Sequence, residues 1–494
     1  MGIVIRPWER NDLETLRKIT WQSWISTYSI FIQESDLKSY FDIYYTEAAF
    51  LSMFNDPLMH GFIAEMDDHI AGYIRLFFNE DENRLYVPSL YLLPDFQGQD
   101  TGRHLLEAAE GYAAIKGVDE LWLGVMVKNR QALNFYRKVG FLFVREEPFT
   151  MGRTTVTHLI GYKKLGKNTF LIHKTYATFD EGKGLPELCL DLLSEQKKTW
   201  RDLRDGYESL KAVRERYLPC KGFTVRLQYN PRRIKSSLAD VDKKNANERR
   251  CFLCLDNLYE GQKGILYQNE YLILCNPMPV FSSHFTVSHL DHRAQAITEY
   301  IDTLLQLLTD FGSEWMVLYN GPKCGASAPD HLHLHAALSG QMPIEKEIWD
   351  EKRLTRIRQA DGAFLYRGRN LGREVIILEG EDPIALGNAF KHFLNALKKV
   401  LLLDEEPMMN IAGFYRERKW RLVIFPRRKH RPDAFFREGD DQIVVSPGVI
   451  DMGGVLITPV KKDFEQLDGA AVEVIYKEVT LEGDNVERAI DALV

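Results

Sequence analysis

Asp330-His331-Leu332-His333-Leu334-His335 sets three imidazoles at strict alternation. On an extended strand all three leave one face and both leucines leave the other. The chain has 13 histidines in 494 residues, so a triplet at this spacing stands out. Two readings fit it. One is an amphipathic strand with its leucines in the core and its histidines wet. The other is a row of imidazoles suited to attack on phosphorus, the middle ring as nucleophile and its neighbours orienting it or handling protons.

Upstream runs Asn320-Gly321-Pro322-Lys323-Cys324-Gly325-Ala326-Ser327-Ala328-Pro329, a small-residue loop leading into the strand. Such a loop lets backbone N–H groups approach an anion, and Ser327 adds a hydroxyl donor. Further upstream stands Cys251-Phe252-Leu253-Cys254, followed by Ser288-His289-Leu290-Asp291-His292. Two thiols from one turn and two imidazoles from elsewhere make a closed tetrahedral zinc set. Two buried thiols, or a redox pair, would also account for the C-x-x-C.

Taken together, the C-x-x-C, Ser-x-x-Asp-His and Gly-x-Ser ahead of His-x-His resemble the galactose-1-phosphate uridylyltransferase branch of the histidine-triad (HIT) superfamily. They also resemble the related GDP-hexose and diadenosine-polyphosphate phosphorylases. The resemblance spans about 185–494 and is densest over 226–340. It implies a structural zinc on Cys251, Cys254, His292 and His331. It implies a nucleotidyl-histidine on His333, with Ser327 on the substrate phosphate. Asn320 and Gly325 fall in the nucleotide-binding loop, and Arg232, in Asn230-Pro231-Arg232, is a phosphate contact. One departure is informative: this branch carries glutamine where His335 stands. Glutamine can hold the intermediate by hydrogen bonding, whereas histidine can also donate a proton. Phosphate, a sugar phosphate or water therefore stays open as the acceptor of the nucleotide.

The C-terminal third, about 365–494, has the layout of a second copy, with Glu374-Val375-Ile376-Ile377-Leu378, a helix over 383–403 and Arg421-Leu422-Val423-Ile424-Phe425. Lys419, Trp420 and Arg421 stand where a second set of histidines would be. Phe425-Pro426-Arg427-Arg428-Lys429-His430-Arg431-Pro432 resembles a segment of the GDP-hexose phosphorylases. Arg427, Arg428, His430 and Arg431 suit a phosphate-rich ligand, and a solvated basic loop is the plain alternative.

The first 165 residues are a different unit. Ile3 to Pro7 reads as a strand, and Phe62 to Glu65 with Ile70 to Ile74 as a hairpin around Asp67-Asp68. A third strand, Arg84 to Leu93, enters a glycine-bearing loop and a helix over about 103–116. That aims N–H groups and the positive dipole end at one spot, which suits a pyrophosphate. Asn129 to Phe141 reads as an amphipathic helix ending at Gly140. This ordered set resembles the GNAT acetyltransferases. The resemblance implies that Leu92, Gln97, Gly98, Gln99, Asp100, Thr101, Gly102, Arg103 and Asn129 bind acetyl-CoA, and that Tyr136 donates a proton to the departing thiolate. Asp100 stands where glycine is usual. Aspartate can adopt the left-handed conformation; either its carboxylate repels the pyrophosphate and CoA binds more weakly than is typical, or, as expected here, the carboxylate faces solvent. The third strand carries Ser89 and Tyr91 and no acidic base, so the small-molecule amine acceptor is not readable.

Net charge is −7 with pI about 6.1, which argues against nucleic acid as an obligatory partner. Six cysteines fit a reducing, cytoplasmic setting, and no apolar run approaches the roughly 20 residues that would span a membrane. The expected architecture is α/β (α+β). A GNAT domain with a central mixed sheet covers 1–165, and 166–185 is a loop-like linker. A duplicated HIT-like α+β domain of antiparallel half-barrels covers 186–494, with its first repeat at about 220–345 and its second at 365–494. Leu188, Leu192, Trp200, Leu203, Tyr207 and Tyr217 predict one amphipathic helix over 186–218, and Lys243 to Arg250 a polar loop. The chain is read as bifunctional: an acetyl-CoA-dependent N-acetyltransferase fused to a nucleotidyltransferase or phosphorylase acting on a nucleotide sugar or dinucleotide polyphosphate. Activity of the acetyltransferase alone, or a non-catalytic sensor or scaffold, is the alternative.

Overall fold

The computed structural model describes residues 3–66, 69–98, 100–179, 182–234, 250–360 and 362–493. Gln99, the Asp67-Asp68 turn and residues 243–249 of the polar loop lie outside them. The chain divides into two compact units, Met1–Lys174 and Thr175–Val494. Among the described residues no helix is long and apolar enough to cross a membrane.

The first unit is a seven-stranded mixed sheet: β1 (Val4–Pro7), β2 (Met59–Met66), β3 (His69–Asn79), β4 (Arg84–Leu92), β5 (Glu120–Met126), β6 (Leu142–Met151) and β7 (Thr154–Lys164), in the order β1-β2-β3-β4-β5-β7-β6. Three helices, α1 (Leu13–Tyr28), α2 (Glu34–Tyr44) and α3 (Glu47–Asn55), bury an aromatic cluster centred on Trp24, Phe41 and Tyr45. The parallel pairing of β4 with β5 runs only through Leu85–Leu121 and Tyr86–Trp122. Beyond that the two strands part, and the C-terminal half of β4 keeps β3 as its partner. At the parting sit the loop after Leu92 and the helix α4 (Thr101–Ile115); α5 (Arg130–Lys138) follows β5.

The stretch expected to be a linker is structured on both sides of the division. Residues Lys167–Lys174 form α6, which packs on α4, where Gly111 leaves room for the ring of His173. Residues Thr175–Thr178 form β8, a parallel partner of β11 (Gly264–Tyr267) in the second unit. Elements of eight and four residues are too short for periodicity to reveal. The single helix expected over 186–218 is also corrected. Leu185–Thr199 (α7) and Arg201–Ser209 (α8) are separate, because Trp200 is extended and its ring stacks on Tyr259 at 5.1 Å. Tyr217 lies on the strand β9 (Arg214–Pro219) and is exposed.

The second unit is built on an eleven-stranded sheet. Its further strands are β12 (Tyr271–Cys275), β13 (His284–His289), β14 (Trp315–Asn320), β15 (His333–Leu338), β16 (Leu354–Ala360), β17 (Ala363–Gly368), β18 (Ile376–Gly380), β19 (Met409–Arg416) and β20 (Lys419–Pro426). The order is β16-β17-β18-β20-β19-β14-β15-β13-β12-β11-β8. Each half is three strands, a helix and two strands. The first-half helix is α9 (Ile301–Phe311) and the second-half helix α11 (Pro383–Val400), with the short α10 (Ile344–Ile348) between the halves. β14 and β19 pair antiparallel at the junction, so the halves have the same connectivity about a two-fold. The second copy thus ends at β20. Residues 427–493 return over the sheet and supply β21 (Val455–Thr458), which pairs in parallel with β10 (Thr224–Tyr229).

Alternation sorts the large sheet into two faces. Leu332, Leu334 and Ala336 pack with Leu192, Leu203, Leu304, Leu308, Phe390 and Leu397 of the helices. Ala337, Met316, Leu318 and Val423 pack instead under Val225, Leu227, Val455 and Tyr476. The leucines of the opening hexapeptide are core, but the histidines are not wet: His331, His333 and His335 are 0%, 1% and 9% exposed, because the three-stranded sheet and the returning chain cover their face.

Candidate functional site

In the first unit the described residues expected to bind a pyrophosphate lie between the end of β4 and the first turn of α4. Gly98 (φ +79°) and Asp100 (φ +59°) both take the left-handed conformation, and both are exposed. Asp100 is the N-cap of α4 through its backbone, its C=O accepting the N–H of Arg103 at 2.9 Å and of His104 at 3.1 Å, while its carboxylate makes no cap bond. The charge is turned outward, as its position required. A Cβ on Gly102 would stand 3.3 Å from Phe135 and 3.4 Å from Leu92, so the glycine lets α4 sit close to the strand end. Thr101 is buried, Arg103 pairs with Glu107 along the helix, and the Gln97 side-chain oxygen accepts from Gln131 at 3.2 Å. With the Arg103 and His104 N–H groups on the Asp100 carbonyl, the first-turn amides of α4 that have no acceptor within the helix are those of Thr101 and Gly102.

Asn129 caps α5, its Oδ1 accepting the Ala132 N–H at 3.1 Å, and its side chain also meets the Tyr28 hydroxyl. Tyr136, one turn on, is 8% exposed, and burial holds its phenol well above the ordinary value. It is protonated at every neutral pH, the state a proton donor needs.

In the second unit, Cys251, Cys254, His292 and His331 offer ligand atoms that all lie within 4.8 Å of one another. The thiols meet imidazole nitrogens directly: Cys251 Sγ to His331 Nδ1 is 3.3 Å and Cys254 Sγ to His292 Nδ1 is 3.2 Å. The far nitrogens are held elsewhere. His331 Nε2 donates to the His289 carbonyl at 2.8 Å, and His292 Nε2 lies 3.4 Å from Asp330. Both rings therefore turn an Nδ1 lone pair toward the sulfurs, the arrangement that carboxylate and carbonyl partners impose on ligating histidines. Burial and the facing Cys251 push the Cys254 thiol up, so that thiol would ionise only against a cation. Two thiolates and two imidazoles in this compass suit a tetrahedral divalent ion of the zinc type.

His333 lies two residues beyond this cluster. Its Nδ1 donates to the His331 carbonyl at 2.8 Å, which leaves the lone pair on Nε2. Gln295 fixes the backbone at this point, accepting the His333 N–H at 2.8 Å and donating to its carbonyl at 3.0 Å. Burial lowers the His333 pKa to about 4, so the ring is neutral. The Ser327 hydroxyl, on an exposed turn, is 3.5 Å from Nε2. His335 packs edge-on against His333 at 5.2 Å and against His284 at 5.1 Å. The loop that holds Ser327 is pinned from the second half of the sheet: Asn320 accepts from Asn410 at 2.7 Å and from the Val449 N–H at 2.7 Å. Gly325 (φ +90°) is so close to Gly448 that a Cβ would approach its Cα to 2.8 Å.

Several expected phosphate contacts do something else. Arg427 is 2% exposed, and its guanidinium donates to Val479 O, Asn410 Oδ1, Pro447 O, Lys429 O and His430 O. With five donors on five acceptors it is an organiser of the chain and has no N–H left for a ligand. Arg428 closes the C-terminal carbonyls of the helix Gly469–Val479 and pairs with Glu482. Arg232 is exposed and reaches the Asp205 carbonyl; its neighbour Arg233 instead bonds Met278 O at 2.9 Å and acts electrostatically on His284, His335 and Asp451. His430 and Arg431 do stay together, both on the Ser446 hydroxyl, at 3.2 and 3.0 Å. Sequence reasoning missed Arg233, His284 and Gln295; the adjacency of two arginines gave no sign of which one turns inward.

In the second half of the sheet, β20 and β18 correspond to β15 and β13. They hold a buried ion pair, Arg421 with Glu379, where the first half holds histidines.

The fold and the loop at the N-terminus of α4 define the class: an N-acetyltransferase. Residues 14–141 match the acetyltransferase (GNAT) family. An uncharacterised N-acetyltransferase of Mycobacterium bovis is 32% identical over 116 residues, 24% of this chain and 74% of that protein. A spermidine N(1)-acetyltransferase of Thermoplasma acidophilum is 33% identical over 147 residues, 28% of this chain and 89% of that protein. The crystal structure of the PaiA N-acetyltransferase of Thermoplasma acidophilum in complex with coenzyme A is 27% identical, with a TM-score of 0.30 over 33% of this chain and 99% of that one. Through its first unit the chain belongs to the GNAT family. Residues 192–338, which contain the Cys/His cluster and His333, match a domain of unknown function, DUF4922.

Proposed function

We propose that the chain carries two activities. The first unit transfers acetyl from acetyl-CoA to a small-molecule amine, with the α4 amides on the pyrophosphate, Asn129 on the cofactor arm and Tyr136 supplying the proton to the thiolate. The second unit is a HIT-like nucleotidyltransferase or phosphorylase acting on a nucleotide sugar or a dinucleotide polyphosphate. The His333 Nε2 pair attacks the α-phosphorus, the bond to the bridging oxygen breaks, and the electrons leave with the β-phosphate. Phosphate, a sugar phosphate or water then takes the nucleotide from His333. Zinc on Cys251, Cys254, His292 and His331 is structural, fixing the turn from which His333 projects. The observation that carries this reading is the His333 tautomer: Nδ1–H is tied to the His331 carbonyl, so the nucleophilic lone pair sits on Nε2 beside Ser327.

The test is brief exposure of the protein to nucleotides labelled at the α-phosphate. An acid-labile phosphoramidate is expected on wild type and none on His333→Asn; label retained by the variant refutes the assignment, and the base that labels best names the substrate class.

A second reading rests on the 1% exposure of His333. A phosphate reaches Nε2 only when the 320–330 loop moves, and if it does not, the unit is a non-catalytic nucleotide sensor or scaffold. Calorimetric binding of nucleotides without label on His333 favours that reading.

A further inference from the structure

One wall of the first unit carries buried donors without acceptors. Arg75, on β3, is 6% exposed, and its Nε has no hydrogen-bond partner. Its Nη1 touches the Met53 thioether, a weak acceptor, and the guanidinium carbon lies 5.7 Å from the Tyr45 ring centroid. Among the described residues no carboxylate pairs with it. Its cross-strand partner Ser89 is 3% exposed and Trp24 is 2% exposed; Ser89 Oγ and Trp24 Nε1 have only the phenols of Tyr73 and Tyr91 as polar neighbours, at poor hydrogen-bond geometry.

A guanidinium removed from water without an anion is costly, and one aromatic face offsets only a part of that cost. The surroundings do not supply the missing charge. Tyr45 lies near enough to Tyr28, Tyr73 and Tyr91 to help burial raise their pKa values, and Tyr28 acts in the same way on Tyr136. One aromatic wall thus leads from the proton donor to the unpaired guanidinium. Arginine's planar fork matches a carboxylate in two bonds, and Ser89 and Trp24 add neutral donors on the same side.

We propose that Arg75 recognises a carboxylate on the amine that receives the acetyl group, which makes the acceptor an amino acid or related amino carboxylate and not a polyamine. This deepens the acetyltransferase reading above and rests on Tyr136 marking the reacting end of the site. Arg75 is a specificity-determining residue that never touches the acetyl group.

The full-length protein is assayed for thiol release from acetyl-CoA with matched acceptors: glycine and glycinamide, β-alanine and β-alaninamide, glutamate, and spermidine. Carboxylated members are expected to be the better substrates. Arg75→Gln is expected to raise their KM about tenfold or more while kcat and the KM for acetyl-CoA stay within about twofold, and Arg75→Lys to recover part of the loss. Spermidine outpacing every carboxylated amine overturns the proposal, as does an equal effect of Arg75→Gln on both members of each pair. If no amine is acetylated, the acceptor reading itself has failed. Calorimetry of N-acetylglycine and N-acetylglutamate against the CoA-loaded protein then decides: binding lost in Arg75→Gln supports the carboxylate site, and no binding to wild type ends it.

Discussion

The two units place their chemistry in opposite ways. In the first, the groups proposed to bind an anion are contiguous in sequence, Leu92 to Arg103, and Gly98 and Asp100 are exposed near the parting of β4 and β5. In the second, Cys251, His292, His331 and His333 come from three separated segments, with His331 and His333 buried and His292 exposed. A contiguous site survives as a recognisable string, so relatives of the first unit are plain. A site assembled by strand pairing has its meaning in contacts between distant residues. The same difference runs inside the eleven-stranded sheet, where equal connectivity holds histidines in one half and a buried ion pair in the other.

The comparison breaks first at the metal. Replacing Cys251 and Cys254 with serine is expected to remove about one zinc per chain and to cost the second unit on the order of 5 kcal/mol or more. Metal analysis and calorimetry check this, and a first-unit transition that moves as far would show the units are not separate. Arg427→Met takes a donor from five acceptors inside the second unit, of which the Val479 carbonyl keeps the Arg428 N–H, and is expected to cost about 3–5 kcal/mol, read by denaturant unfolding. A loss below about 1 kcal/mol, coupled with weaker nucleotide binding, would return Arg427 to the ligand site.

In the first unit, Tyr136→Phe is expected to lower kcat about a hundredfold with the KM for acetyl-CoA nearly unchanged. An unaltered kcat moves the proton donor elsewhere.

Asp451 supplies a pH test of the second unit. Its carboxylate accepts the N–H groups of Gly448 and Ile457, and burial raises its pKa to about 6. The folded state thus holds a proton that the unfolded chain has already released above pH 4. The stability this group contributes is full below about pH 4 and is lost as pH rises through 6. Asp451→Asn is less stable throughout, because an amide faces one of the two N–H donors. The wild-type advantage is expected to shrink from pH 4 to 7, by on the order of 2 kcal/mol; an advantage that grows with pH reverses the sign and refutes the assignment. The smallest effect is at Asp100→Gly, which keeps the left-handed turn and removes an exposed charge. CoA should bind about twofold to fivefold more tightly, measured by calorimetry.

Much of the fold was legible. Strand alternation, the glycine-bearing loop and the C-x-x-C are local signals, and the left-handed, solvent-facing Asp100 was the favoured reading of the resemblance to the GNAT loop, where glycine is usual. The basic run Arg427 to Arg431 was misread, because sequence shows charge and not direction. Arg427 satisfies itself on backbone carbonyls, Arg428 closes a helix end, and only His430 and Arg431 stay together. Arg232 and Arg233 were indistinguishable until β13, β15 and the turn at Asp451 fixed which one turns inward. The end of the second copy at Pro426 was hidden for the same reason: a returning chain looks like a continuing one.

By itself the sequence determined the elements whose rule is local: which residues alternate, where the backbone needs a left-handed turn, and which side chains can bind a metal or attack phosphorus. Tertiary structure decided which nitrogen of His333 keeps its lone pair, which arginine is spent on carbonyls, and that Arg75 is buried without an anion. Each of these is a matter of what stands opposite a polar atom once water is gone, and that is set by the pairing of segments far apart in the chain.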